Sequence, residues 1–174
     1  TPEAIGSPRI AAGGAALLIG CDLVVAAGRT ALPTVRKGFT RVVANIEETM
    51  TGAFTRDPDL SFPALRLRRS LTDAAGSDAV TFVDATRIAT KLLGDAIATN
   101  LFMVGIAWQQ GLIPLSAASI ERAIEVNGVA VEMNRRAFRW GRRYAVDPAA
   151  VAGDEPAPAE PTLDDLVERR AAFL

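Results

Sequence analysis

Histidine is absent from this 174-residue sequence, and cysteine occurs once, at Cys21. Without histidine, Ser-His-Asp and Cys-His catalysis and histidine-based zinc or iron sites are excluded within the chain. One thiol can neither close an intramolecular disulfide nor hold an iron–sulfur cluster, which takes several thiolates, so a reducing, cytoplasmic setting is expected. Charge of one sign is missing too: 19 Lys+Arg stand against 20 Asp+Glu. That balance gives no general attraction to phosphate backbones, and aromatics at 6% leave few stacking platforms, so nucleic acid is not an expected partner. Continuous apolar stretches such as residues 23–27 fall well below the ~18–20 residues that span a bilayer. The first segment also lacks the charged-then-apolar pattern of a signal peptide, and no membrane association is expected. Carboxylate, Lys, Ser/Thr and backbone chemistry remain.

Hydrophobic residues make up 49% of the chain, enough for a real core, and the length suits one domain plus an extension. Residues 1–14 are rich in Pro and Gly and read as a loop leading into a short apolar turn or helix at residues 15–19. The run Cys21-Asp22-Leu23-Val24-Val25-Ala26-Ala27, valine-rich and without alternation, suits a strand buried on both faces. Residues 29–36 read as a short helix containing Pro33, and residues 40–45 as a second buried strand. A long loop at 47–63 leads to a helix at 65–75 and a third strand at 79–84, where Asp84 is placed to cap the next helix.

From Ala85 to Tyr144 the pattern is helical. Helices are expected at residues 84–93 and 95–110, with a break at Gly111-Leu112-Ile113-Pro114 and an N-cap at Ser116. Asn127-Gly128 would kink or end the helix that follows. Strands interleaved with helices and then a helical end predict an α/β fold: a three-layer, open, mostly parallel, Rossmann-like sheet with a helical C-terminal part. Three strands make a small sheet for this length, so further strands are expected before Thr1 and the chain is expected to be a portion of a longer one. Residues 147–161, rich in Pro and Ala, read as a linker, and residues 162–174 as the start of a further helical region.

Ligands in open α/β sheets bind beyond the carboxyl ends of the strands. The loop after the second strand therefore supplies the candidate cofactor-binding set: Asn45, Thr49 and Thr51 as hydrogen-bonding groups, with Gly52 allowing close backbone approach. An ordinary strand-to-loop turn is the competing reading. Arg135, Arg136, Arg139, Arg142 and Arg143 fall within roughly 120° of one another on a helix, opposite Met133, Ala137, Trp140 and Tyr144. Arg135, Arg139, Arg142 and Arg143 are the candidate partner-docking set, a solvated face being the alternative. Cys21 reads as a small core residue.

Several phrases, in order, resemble the gamma subunit or domain of 2-oxoacid:ferredoxin oxidoreductases. They are Asp22-Leu23-Val24-Val25-Ala26 followed by Ala31-Leu32, then Val42-Val43-Ala44-Asn45, then Val83-Asp84-Ala85-Thr86 with Leu93-Gly94. Asn100-Leu101-Phe102-Met103-Val104-Gly105, Gly111-Leu112-Ile113-Pro114, and Asn134 with Ala137-Phe138 and Gly141 complete the set. The segments 94–100 and 127–134 look most like the large fused indolepyruvate:ferredoxin oxidoreductase type, in which the gamma domain lies near the C-terminal end. The chain would then comprise the C-terminal portion of a gamma domain over residues 1–146, the linker, and the start of the next region.

Such a resemblance implies a parent enzyme that oxidatively decarboxylates a 2-oxoacid to an acyl-coenzyme A. Thiamine diphosphate, magnesium and iron–sulfur clusters would lie in its other domains, none in this segment. Coenzyme A, ferredoxin and the other domains would be the partners, within an oligomer. No catalytic or metal-ligating residue is expected here, because the Asn of Gly94-Asp95-Ala96-Ile97-Ala98-Thr99-Asn100 follows its Asp by five residues and cannot reproduce the thiamine magnesium motif. Gly13-Gly14 likewise does not match the family's glycine-rich loop. A self-contained α/β ligand-binding or partner-docking module is the alternative.

Overall fold

A computed structural model of the chain describes residues 9–48 and 63–152. In chain order the elements are strand β1 (Leu17–Gly20), helix α1 (Leu23–Ala26), strand β2 (Arg41–Asn45), helix α2 (Ala64–Ala75) and strand β3 (Val80–Val83). Helices α3 (Ala85–Leu93), α4 (Thr99–Gln109), α5 (Ala117–Asn127), α6 (Val131–Val146) and α7 (Pro148–Ala152) follow. The sheet order is β1-β2-β3. Both pairings are parallel, with Leu18 opposite Val42 and Val43 opposite Thr81. The α/β fold with a parallel sheet is thus the one expected from the interleaved pattern.

The first strand is not where the valines point. It occupies Leu17–Gly20, ahead of the expected run, and residues 23–26 form a helical turn instead. Asp22 decides this: its backbone is extended (φ −125°, ψ 126°) and its carboxylate accepts the Val25 N–H at 2.9 Å. That N-cap closes a turn and overrides the β-propensity of Val24 and Val25. Gly20 permits the reversal, since a Cβ there would lie 2.6 Å from the Ala26 side chain. The helix expected at 29–36 shrinks to a 3₁₀ turn at Leu32–Thr34, which carries Pro33 in its first turn. A 3₁₀ turn at Ala96–Ala98 likewise precedes α4. Ser116 caps α5 by accepting the Ser119 N–H at 3.1 Å, and α5 ends on Gly128 in left-handed conformation. The 147–161 segment begins as helix α7, whose Val151 is buried; the remainder of that segment and residues 162–174 lie outside the described residues.

Alternation along β2 sorts the core into two layers. Val42 and Ala44 face α1 and α2, where Leu23, Ala26, Leu71 and Ala75 are buried. Val43 faces the opposite side with Val83, against Ile88 of α3 and Phe102, Met103 and Ile106 of α4. A central strand buried on both faces needs no polar alternate positions, which is why Val42-Val43-Ala44 is a continuous apolar run.

Helix α4 is apolar around most of its circumference and is covered on its far side by α6. The two helices touch backbone to backbone. A Cβ on Gly105 would sit 2.2 Å from the Phe138 carbonyl oxygen, and one on Gly141 would sit 1.9 Å from that of Phe102. Phe102 and Phe138 are themselves fully buried. A third cluster, Ile120, Ile124 and Phe138, holds α5 on α6.

Candidate functional site

Parallel pairing brings the carboxyl ends of all three strands to one edge, and Asn45 stands at the middle of it, 2% exposed. Its Nδ2 donates to the Cys21 carbonyl at 3.0 Å and to the Thr86 hydroxyl at 2.8 Å. Its Oδ1 accepts the Ala85 N–H at 3.0 Å and the Glu47 N–H at 3.4 Å. An amide offers two donors and two lone pairs, and all four are used. In this arrangement Asn45 ties the chain after β1 to the start of α3. Thr49, Thr51 and Gly52 lie outside the described residues.

Next to this clamp, the Thr86 and Thr99 hydroxyls are 3.4 Å apart, and Thr99 donates to the Ala96 carbonyl at 2.6 Å. Asp84 occupies the N-cap position of α3, yet its side chain makes no capping bond. One carboxylate oxygen pairs with the Arg87 guanidinium at 2.6 Å while the other is buried with no hydrogen-bond partner among the described residues. The first N–H of α3, that of Ala85, is taken by Asn45 instead. Burial, with the Asp84 charge adding to it, pushes the Tyr144 hydroxyl above its ordinary pKa. Cys21 is half-buried, and burial raises its thiol pKa.

The arginine face divides in two. Arg139 makes a two-pronged contact with Glu121 of α5, Nε to Oε1 at 3.0 Å and Nη2 to Oε2 at 2.8 Å. Arg135 pairs with Glu125 and lies 3.9 Å from Glu121. Hydrogen bonding from Arg139 holds the Glu121 carboxyl below its usual range, and Arg122 followed by Arg135 does the same for Glu125. Arg142 lies over the Trp108 ring at 4.4 Å and donates to Gln109 at 3.3 Å. Three of the four candidate docking arginines are thereby engaged within the chain. Glu121 and Glu125 repeat at i, i+4, as do Arg135 and Arg139, so the two acids meet the two bases once α5 and α6 pack.

The other part of the face is a hollow of about 220 Å³ lined by Arg136, Arg139, Trp140 and Arg143. Arg143 sits 5.6 Å from the Trp140 ring, within cation–π range. A wider cleft of about 760 Å³ lies at the opposite end of the sheet, beside Lys37, Arg41, Gly76 and Asp78, where Arg41 donates to the Asp78 carbonyl at 2.8 Å.

A three-layer domain on a wholly parallel sheet, with its strand ends closed by one buried amide, defines an open α/β class. The chain belongs to the pyruvate ferredoxin/flavodoxin oxidoreductase family, whose model matches residues 1–144. No curated protein and no solved structure matches it. That membership places it among the 2-oxoacid:ferredoxin oxidoreductases and makes it a domain of a multi-domain or multi-subunit enzyme. Among the described residues, no helix is long and apolar enough to cross a membrane.

The structure also places the lone thiol and the acidic residue of the 94–100 segment. Cys21 is a single thiol whose burial disfavours the thiolate that iron ligation requires. Asp95, the acidic residue of the 94–100 segment, is occupied in accepting the Ile97 N–H at 2.9 Å.

Proposed function

We propose that the chain is the C-terminal portion of the gamma domain of a fused indolepyruvate:ferredoxin oxidoreductase, followed by a linker and the start of a further region. Its work is to support the assembly rather than to carry the redox chemistry. Thiamine diphosphate, magnesium and the iron–sulfur clusters belong to other domains of the cytoplasmic, oligomeric parent, and coenzyme A and ferredoxin are partners of that whole enzyme.

The observation that carries this reading is the closed carboxyl edge. The position that would greet a ligand in an open α/β sheet is held by Asn45, whose amide is fully used in joining strand ends. An edge closed by its own hydrogen bonds offers a surface to pack against other domains. The test is 2-oxoacid-dependent reduction of ferredoxin by the parent enzyme in the presence of coenzyme A, with indolepyruvate and pyruvate supplied in turn. Faster turnover of indolepyruvate is expected; a preference for pyruvate would remove the assignment to the aryl type.

A further inference from the structure

Of the arginines expected to dock a partner, Arg135, Arg139 and Arg142 are spent within the chain, on Glu125, on Glu121, and on Trp108 with Gln109. A different set stays open. Residues 136, 140 and 143 repeat at i, i+4 and i+7, which places Arg136, Trp140 and Arg143 along one line of α6, where they line the 220 Å³ hollow with Arg139. Glu121 closes the Arg139 wall with two hydrogen bonds, at 3.0 and 2.8 Å. Among the described residues neither Arg136 nor Arg143 has a carboxylate partner, because the ion pairs of α6 fall on Arg135 and Arg139. The hollow therefore keeps two uncompensated positive charges, about 10 Å apart along the helix axis at 1.5 Å per residue.

Trp140 stands between them. Its ring is half-buried and packs against the larger core cluster, while the Arg143 guanidinium lies 5.6 Å from it. The core thus holds the indole in place before any partner arrives, and little side-chain freedom is left to lose on binding. Trp and Arg are the residues that most often carry the binding energy of protein interfaces, Trp as a pocket anchor and Arg as a planar fork for carboxylates. A strand of nucleic acid would need successive stacking platforms and a basic track, and this hollow offers one indole on a chain of net charge −1. The family match supplies the kind of protein: a domain of a multi-domain or multi-subunit enzyme has neighbours that pack on it.

We propose that Arg136, Trp140 and Arg143 dock another domain of the parent enzyme, on a surface where two carboxylates stand either side of an apolar seat for the indole. This rests on the supporting role proposed above and names the face that performs it. Each guanidinium takes its carboxylate as Arg139 takes Glu121 in the same hollow, through a two-pronged pair. With the chain as a whole near neutrality, these pairs fix the register of the contact rather than draw the domain in from a distance.

The test uses the parent enzyme as it assembles, with single arginines replaced by lysine, whose amine a water-soluble carbodiimide couples to a carboxylate in ion-pair contact. Arg139→Lys is the internal standard and is expected to couple to Glu121. Arg136→Lys and Arg143→Lys are each expected to give a cross-link, absent from wild type, to an Asp or Glu of another domain. Coupling in the standard with none from R136K or R143K to another domain would overturn the proposal, and so would coupling only to acids of this domain or of a second copy of it. The double variant Arg136→Glu, Arg143→Glu is read by hydroxyl-radical oxidation and peptide mass spectrometry. Oxidation of Trp140 is expected to rise severalfold as the contacts that exclude water from it come away, while Trp108, whose indole N–H donates to the Leu115 carbonyl, stays at its wild-type level and reports an intact fold. Equal Trp140 oxidation in wild type and the double variant would overturn the docking. Neither readout involves turnover, so a preference of the parent for pyruvate would remove the aryl assignment and leave this proposal standing.

Discussion

Asn45 joins its own strand to two pieces of chain far from it in sequence, through the Cys21 carbonyl on one side and the Ala85 N–H and Thr86 hydroxyl on the other. Replacing it by alanine leaves a buried N–H and a buried carbonyl without partners, each costing about 1–3 kcal/mol. Asn45→Ala is therefore expected to lower stability by about 2–4 kcal/mol in urea unfolding, the cost being split between those groups. Asn45→Asp is expected to fare little better, since a carboxylate keeps the acceptor bonds but confronts the Cys21 carbonyl with negative charge. An unchanged midpoint in both variants would mean that the amide network is dispensable. From sequence, the position of Asn45 at the end of a strand was legible, and so was its hydrogen-bonding capacity. What was not legible was the direction of that capacity, because its partners lie 24 and 41 residues away and become neighbours only when the sheet forms.

Between elements, the crossing of α4 and α6 is the most demanding contact. A methyl group on Gly141 would sit 1.9 Å from a backbone oxygen that cannot rotate aside. Overpacking of this kind costs about 1–3 kcal/mol or more and outweighs the ~1 kcal/mol by which alanine favours a helix over glycine. Gly141→Ala is expected to destabilise by about 2 kcal/mol, with Trp108 fluorescence reporting the spreading of the helices; a stabilised variant would contradict the close approach. The α5–α6 contact carries a pH dependence. Glu121 has its folded pKa depressed by Arg139, so its contribution is present above the unfolded value of ~4.3 and is lost as pH falls through the folded value. The stability gap between wild type and Glu121→Gln is expected at pH 7 and should close as pH falls through the depressed folded value. A gap that persists at pH 2 would show that the pair contributes through packing alone. Most elements were legible: β2, β3 and the helical stretch from α2 to α6 fall on the expected segments, with Ser116 marking the start of α5. The first strand was misread because five apolar residues in a row fit a strand or a buried turn equally, and the Asp22 side chain, not the apolar run, settled it. The arginine stripe was legible as a stripe, but which of its members pair within the chain was not. A stripe on one helix says nothing about the carboxylates of the next until the two pack.

At the scale of the whole molecule, the absences that opened the sequence now have a setting. A chain without histidine and with one half-buried thiol belongs to a family of 2-oxoacid:ferredoxin oxidoreductases. It contributes a three-layer parallel domain whose strand ends are closed by its own amide. Its near-zero net charge suits burial among other domains rather than electrostatic capture of a charged partner. The central claim is that this domain supports chemistry carried elsewhere in the parent. The most direct measurement compares 2-oxoacid- and coenzyme A-dependent ferredoxin reduction by the purified chain alone with that of the assembly that contains it. The account predicts turnover by the assembly and none by the chain. Turnover by the chain alone would contradict it.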